Sequence, residues 1–262
     1  MRLVFLAAAM AVAMLSACAT PSGHGPGYGP GQGSGTQAAT PMPHITIYHL
    51  EGRRSERIVW LMEELGQPYD LKFVRGSLGA SLMEIRKVNP EMPVAPTVIY
   101  GDDVLVESGA IIDILLNRHA PGKLIPDLNS KDYAWHQIWM HYAEGSLAAR
   151  ALADYRVWQI QPPTQKGPLV DAGGVIKFAE SYLAKHPYFG GAEFSAADIM
   201  MQFPLEYAFR INIVDQTKYP FINAWNAKVT ARPAYQRMVR VSKPDGMLGP
   251  PEPLPDSARA PS

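Results

Sequence analysis

Ser108 stands where an apolar pattern at helical spacing begins, with Ile111, Ile112 and Leu115 behind it and Glu107 in front. A serine there can cap the helix. Its hydroxyl and the first N–H groups of the turn also form a positive dipole end at which an anion can be seated. Ala95-Pro96 lies upstream, an X-Pro bond that reads either as a trans loop residue or as a cis bond presenting the backbone of Ala95 sideways. Arg53 is a cation and would lower the pKa of any thiol beside it, and Tyr48 and Ser55 bring hydroxyls to the same region. Cys18 is the only cysteine, so no internal disulfide, CxxC redox pair or thiolate metal cluster can form. His136 and His141 are five apart, which is not the helical spacing of metal ligands.

The elements that must position these residues follow from periodicity. His44–Leu50 alternates as a strand, and Arg54–Leu65 carries Ile58, Leu61, Met62 and Leu65 at helical spacing with Gly66 as a stop. Tyr69–Val74 reads as a second strand, parallel to the first because a helix intervenes. A helix over Ser81–Val88 is closed by Asn89-Pro90, and Thr97–Tyr100 and Val104–Val106 flank a hairpin turn. With the helix from Ser108 the order is βαβ, α, ββα, a thioredoxin-like domain over residues 44–120. Strand signals then stop. Helical patterns over Tyr133–Ala153, Leu169–Lys185, Ala196–Asn212, Phe221–Thr230 and Ala234–Val241 predict an all-α domain over residues 121–242. Its sharpest signal is Ser195 with Asp198, a capping box.

Composition sets the surroundings. Lys+Arg and Asp+Glu are equal at 24 each, so nothing drives binding to nucleic acid. Residues 1–18 carry Arg2, an apolar run and small residues before Cys18, as a secretory signal does. Leu15-Ser16-Ala17-Cys18 resembles the lipobox of bacterial lipoproteins, which implies acylation at Cys18, and Ala19 resembles their outer-membrane sorting signal. The alternative is a plain secretory peptide with Cys18 incidental. The expected setting is the bacterial cell envelope, lipid-anchored and facing the periplasm. Residues 19–43 are rich in Gly and Pro and read as a flexible linker, and residues 243–262 as a disordered Pro-rich tail.

Four stretches, ITIYHLEGRRSERIVWLMEELGQPY from Ile45, VAPTVIYGDDVLVESGAII from Val94, WMHYAEGSL from Trp139 and FSAADI from Phe194, together resemble the glutathione transferases over roughly His44 to Val241. The resemblance implies a cis Ala95–Pro96 bond, since Pro96 lies eleven residues before Glu107 as in the family. It further implies glutathione held by the Ala95 backbone, Pro96, Glu107 and Ser108, and a small electrophile as second substrate with Tyr155 and Trp158 at its pocket. No cofactor beyond glutathione as co-substrate is implied, and a homodimer is the family's usual state.

The thiol-activating position departs from the pattern. Where serine-type bacterial enzymes place a hydroxyl, four residues before the arginine matched by Arg57, this chain has Arg53. Arg53 could hold the thiolate by charge, Tyr48 or Ser55 could donate a hydrogen bond, or the site could activate nothing. The functions that follow are conjugation or glutathione-dependent reduction, or alternatively a non-catalytic, membrane-anchored binding module with the same fold. Arg53 and the seven-residue step from Asn89 to Pro96, one longer than the family pattern, favour the module.

Overall fold

The computed structural model describes residues 39–162, 171–246, 248–249 and 251–259. The segment expected to be a signal, with Cys18, and the expected linker up to residue 38 lie outside the described residues.

The first domain runs β1 (Ile45–Tyr48), α1 (Glu56–Leu65), β2 (Asp70–Lys72), α2 (Leu78–Val88), β3 (Thr97–Tyr100), β4 (Asp103–Leu105) and α3 (Ser108–His119). The sheet order is β2-β1-β3-β4, with β1 parallel to β2 and the other pairs antiparallel. Alternation in β1 buries Ile45 and Ile47 completely and leaves Thr46 and Tyr48 half-buried. Gly66 ends α1 in the left-handed region at φ 63°, where its N–H reaches Met62. α2 starts at Leu78 rather than the expected Ser81 because Ser77 caps it, accepting from the Ala80 N–H. Ser81 is buried instead, its hydroxyl bound to both backbone groups of Val74.

The second domain is helical: α4 (Lys131–Tyr142), a π-helical segment (Ala143–Ala148), α5 (Ala149–Ile160), α6 (Gly173–Leu183), α7 (Ala196–Arg210), α8 (Pro220–Thr230) and α9 (Pro233–Ser242). One apolar core runs through both domains, with α1 packed on α9 and α7, and α7 on α4. At the head of α7 the expected capping box is present. Asp198 accepts there from the N–H groups of Ser195 (2.9 Å), Phe189 (2.8 Å) and Gly190 (3.4 Å) and from the Trp225 indole (2.8 Å). The packing is close enough that a Cβ on Gly190 would meet Ser195 Oγ at 2.4 Å.

Two segments read as flexible from composition are tied down where described. Thr40 donates through both its N–H and its hydroxyl to the Arg118 carbonyl, so the end of the linker lies along the close of α3. Residues 251–259 are not a loose tail. Leu254 and Ala258 are buried, the Leu254 N–H pairs with Ile211, and Asn212 donates to the Leu254 carbonyl. Two apolar anchors among prolines are enough to dock a segment that has no periodicity to reveal it.

Burial pushes the Asp198 carboxyl up to about 6, while its N–H donors hold the charged form. Asp198→Asn would turn an amide against donors with nothing to accept them. Chemical denaturation should show a loss on the order of 2–4 kcal/mol, and an unchanged midpoint would contradict this account of the α7 start.

Candidate functional site

A cleft of about 280 Å³ opens where the loop before β3 meets the start of α3, and Ala95, Pro96, Glu107 and Ser108 all line it. Ala95–Pro96 is cis. Asn89 clasps the loop that carries this bond: its side chain donates to the Met92 carbonyl and the Thr97 hydroxyl and accepts from the Met92 N–H. The residue that lengthens the step from Asn89 to Pro96 is thereby absorbed in a hydrogen-bonded turn. Neither backbone group of Ala95 has a partner among the described residues, so a short strand-like edge faces the cleft.

Ser108 is not the cap of α3 but its first helical residue, and the cap is Glu107. Glu107 has φ 68° and ψ 107°, a conformation that costs a non-glycine residue roughly 1–3 kcal/mol. No side chain caps the helix, and its first backbone bond is Ile111 N–H to Glu107 O at 3.0 Å. The N–H groups of Ser108, Gly109 and Ala110 are therefore unpaired among the described residues. An open helix N-terminus with a serine hydroxyl beside it offers donors that an anion can accept from.

Across the cleft stand Arg54 and Glu144. Glu144 Oε1 accepts from Arg54 Nε at 2.8 Å and from Arg57 Nη1 at 2.6 Å. Arg57 is buried and donates through Nη2 to the Met200 carbonyl at 2.7 Å. Burial pulls the Arg57 guanidinium below its ordinary value, and the Glu144 charge opposes this. Burial likewise works against a charged Glu144, but Arg57 and Arg54 outweigh it and hold the carboxylate below its usual range. Two cations against one anion leave the cluster net positive. Arg54 uses only Nε, so both of its Nη groups have no hydrogen-bond partner among the described residues.

A second cavity of about 150 Å³ adjoins the first, and Arg54 lines both. Its other walls are Arg53, Arg156 and Tyr207 with Ala148, Ala151, Leu152, Phe203 and Pro204.

None of the three residues expected to act on a thiol lines the first cleft, and of them only Arg53 borders the second cavity. The Arg53 guanidinium donates to the carbonyls of Gly52 (3.0 Å) and Gly249 (3.2 Å). Ser55 is fully buried, its Oγ 2.8 Å from His49 Nδ1 and accepting from the Leu50 N–H. Tyr48 lies in mid-sheet beside Lys72 and Thr97 and lines neither cavity. Tyr155 is buried, and its hydroxyl donates to the Glu252 carbonyl at 2.9 Å. Trp158 packs against the core. Neither borders the second cavity. Arg54 and Glu144 are the site residues that sequence reasoning passed over. The available signal was Arg57 itself, which shares the apolar stripe of α1 with Ile58, Leu61 and Leu65 and so requires a buried partner.

The N-terminal domain family of the glutathione S-transferases matches residues 47–123 and their C-terminal domain family matches residues 165–233, together more than half of the chain. The chain belongs to the glutathione S-transferase family. Glutathione S-transferase 3 of Schizosaccharomyces pombe is 28% identical over 206 residues, which cover 72% of this chain and 84% of that protein. Among solved structures, a glutathione S-transferase from Actinobacillus pleuropneumoniae aligns with a TM-score of 0.66 at 27% identity, over 78% of this chain and 94% of that one. A theta class glutathione S-transferase from Xanthomonas axonopodis pv. citri, solved with glutathione bound, aligns with a TM-score of 0.57 at 28% identity, over 76% and 98%. In this transferase fold the cis bond and the head of α3 share one cleft, while the hydroxyls nearest in sequence are built into the interior.

The buried serine belongs to a network that sets a pH limit. His49 Nε2 lies 2.6 Å from the Ser242 carbonyl, so Nε2 carries the proton and Nδ1 accepts from Ser55. Burial lowers the His49 pKa to about 4, and burial lowers His136 to about 4 as well. An unfolded histidine takes up a proton below about pH 6.5, which these two refuse in the fold. Their contribution should therefore be intact above that value and be lost progressively toward pH 4, and because proton uptake by Asp198 below about pH 6 opposes it, the net fall should be a few kcal/mol. Urea midpoints measured across that window check it, and a flat profile contradicts it.

Proposed function

We propose that the chain binds glutathione in the cleft of Ala95 and Ser108, holds its thiol as thiolate, and transfers it to a small electrophile in the adjoining cavity. One observation carries the reading: Arg54, with both Nη groups unpartnered among the described residues, stands on the wall common to the two cavities. Glutathione is a peptide with two carboxylates, an amine and a thiol. Its γ-glutamyl carboxylate suits Ser108 and the open turn of α3, its ammonium suits Glu107, and its cysteinyl backbone suits the edge at Ala95. In this proposed pose the cysteinyl sulfur would lie at the shared wall. There the net positive Arg54–Glu144–Arg57 cluster favours ionisation, with the proton passing to water. The thiolate then attacks the electrophilic carbon, a C–S bond forms and the leaving group departs with its electron pair. Activation is thus assigned to Arg54 and not to Arg53, Tyr48 or Ser55. The bound glutathione of the Xanthomonas relative supports the choice of co-substrate.

Calorimetry and thiolate absorbance test this together. Ser108→Ala should weaken glutathione by about ten-fold or more, the value of a charge-assisted hydrogen bond. Arg54→Gln should leave most of the binding but remove thiolate absorbance near neutral pH, while Tyr48→Phe keeps it. Failure of the wild type to bind glutathione sinks the proposal, and binding with no thiolate signal would make the protein a binding module.

The setting is part of the same proposal: acylation at Cys18, anchoring in the cell envelope facing the periplasm, and assembly as a homodimer. Cys18→Ser should shift the protein from the detergent phase to the aqueous phase. A wild-type chain with an unmodified N-terminus rules out the anchor.

A further inference from the structure

We propose that the second cavity selects electrophiles carrying a carboxylate on a small aromatic ring. The inference rests on the transferase reading for its chemistry and on the cavity itself for its specificity. Three guanidiniums, Arg53, Arg54 and Arg156, line the cavity, and no carboxylate does. Their charges are incompletely balanced. Arg53 donates to the neutral carbonyls of Gly52 and Gly249, Arg54 shares Glu144 with Arg57, and Arg156 is exposed with no carboxylate partner among the described residues. The remaining wall is apolar, formed by Ala148, Ala151, Leu152, Phe203 and Pro204.

Positive charge reaches across this space. Burial raises the Tyr207 pKa, while Arg53, Arg54 and Arg156 all act to lower it, so all three guanidiniums lie within electrostatic reach of one phenol on the wall. The Tyr207 hydroxyl has no partner among the described residues and supplies a further donor. A neutral aromatic would fill the apolar part and leave the cations facing it without a counter-charge. A carboxylate on the same ring answers them, bidentately where geometry allows. At about 150 Å³ the cavity is well below the roughly 300–1,000 Å³ of sites for drug-sized ligands, which fits a single small ring and not a long chain. For a chloronitrobenzoate the reaction balances without redox chemistry. The glutathione sulfur bonds to the ring carbon, the carbon–chlorine bond breaks and chloride leaves.

The test pairs ligands that differ only in charge. Calorimetry with nitrobenzoate and its neutral carboxamide, which cannot react, reads the cavity without turnover. The wild type should bind the benzoate about ten-fold more tightly, with a preference that shrinks as salt is added. Arg156→Gln should remove most of that preference and Arg156→Lys should retain part of it; Arg156 is exposed and outside the core, so these variants should fold. Equal binding of the two ligands, no binding of the benzoate, or a preference that survives Arg156→Gln overturns the inference. A kinetic arm compares kcat/KM for chloronitrobenzoate and its amide with glutathione present. If glutathione itself does not bind, the transferase reading fails, and the calorimetric preference still decides whether the cavity is an anion site.

Discussion

Arg57 brings a positive charge to the interior, and much of the site is arranged around partners for its two Nη groups, its buried Nε having none among the described residues. A guanidinium with a side chain 1% exposed is tolerable only if carboxylate and carbonyl oxygens close around it. Glu144 supplies the charge from the π-helical segment and Met200 supplies a carbonyl from α7. One side chain of the first domain is thereby bonded to two elements of the second. The cost of burying it falls heavily on any arrangement in which the domains separate, because separation would strand either cation or anion. The same Glu144 oxygen accepts from Arg54, so the bond that joins the domains also fixes the cation in the cleft.

The position of Glu144 depends in turn on an irregular backbone. The sequence pattern from Tyr133 to Ala153 predicts one continuous helix, but α4 gives way at Ala143–Ala148 to a π-helical turn before α5 resumes. A wider turn rotates everything after it relative to a regular helix. Glu144 lies in that turn, as does Ala148, which reaches the second cavity. Apolar periodicity cannot reveal such a segment, because both sides of it remain helical and its buried residues, Ala143, Leu147 and Ala148, are still apolar.

The same limit explains what could and could not be read from the chain. Element order, the parallel β1–β2 pair and the capping box at Ser195 were legible because each rests on local chemistry or a short fixed spacing, whereas the cis bond at Ala95–Pro96 was legible only through the family resemblance. Ala95, Pro96, Glu107 and Ser108, grouped in the sequence by the resemblance, line one cleft. Arg53 does not line the first cleft while its neighbour Arg54 does, and spacing along the chain does not say which of the two meets it. Ser55 was misplaced because its hydroxyl has a better use in the interior, between His49 and Leu50. Tyr155 looked like a pocket aromatic, but its hydroxyl holds the Glu252 carbonyl, a contact spanning 97 residues.

The two cavities differ in charge, and the difference follows from where acids can be afforded. The first cleft carries Glu107, Glu144 and Arg54 together, which suits a peptide bearing both signs of charge. In the second, the acid nearest to hand is already committed: Glu144 lies behind Arg54 and faces Arg57. Arg54 lines both cavities, its Nε paired with Glu144 and its Nη groups without a hydrogen-bond partner among the described residues. The chain as a whole carries no net charge, with 24 basic and 24 acidic residues, so attraction of an anion toward the second cavity cannot come from a general positive field. It must arise locally, from guanidiniums whose counter-charges are shared or replaced by neutral carbonyls. Local fields of that kind act over about one Debye length, roughly 8 Å at physiological salt, so they discriminate between ligands already at the cavity mouth and steer distant ones little.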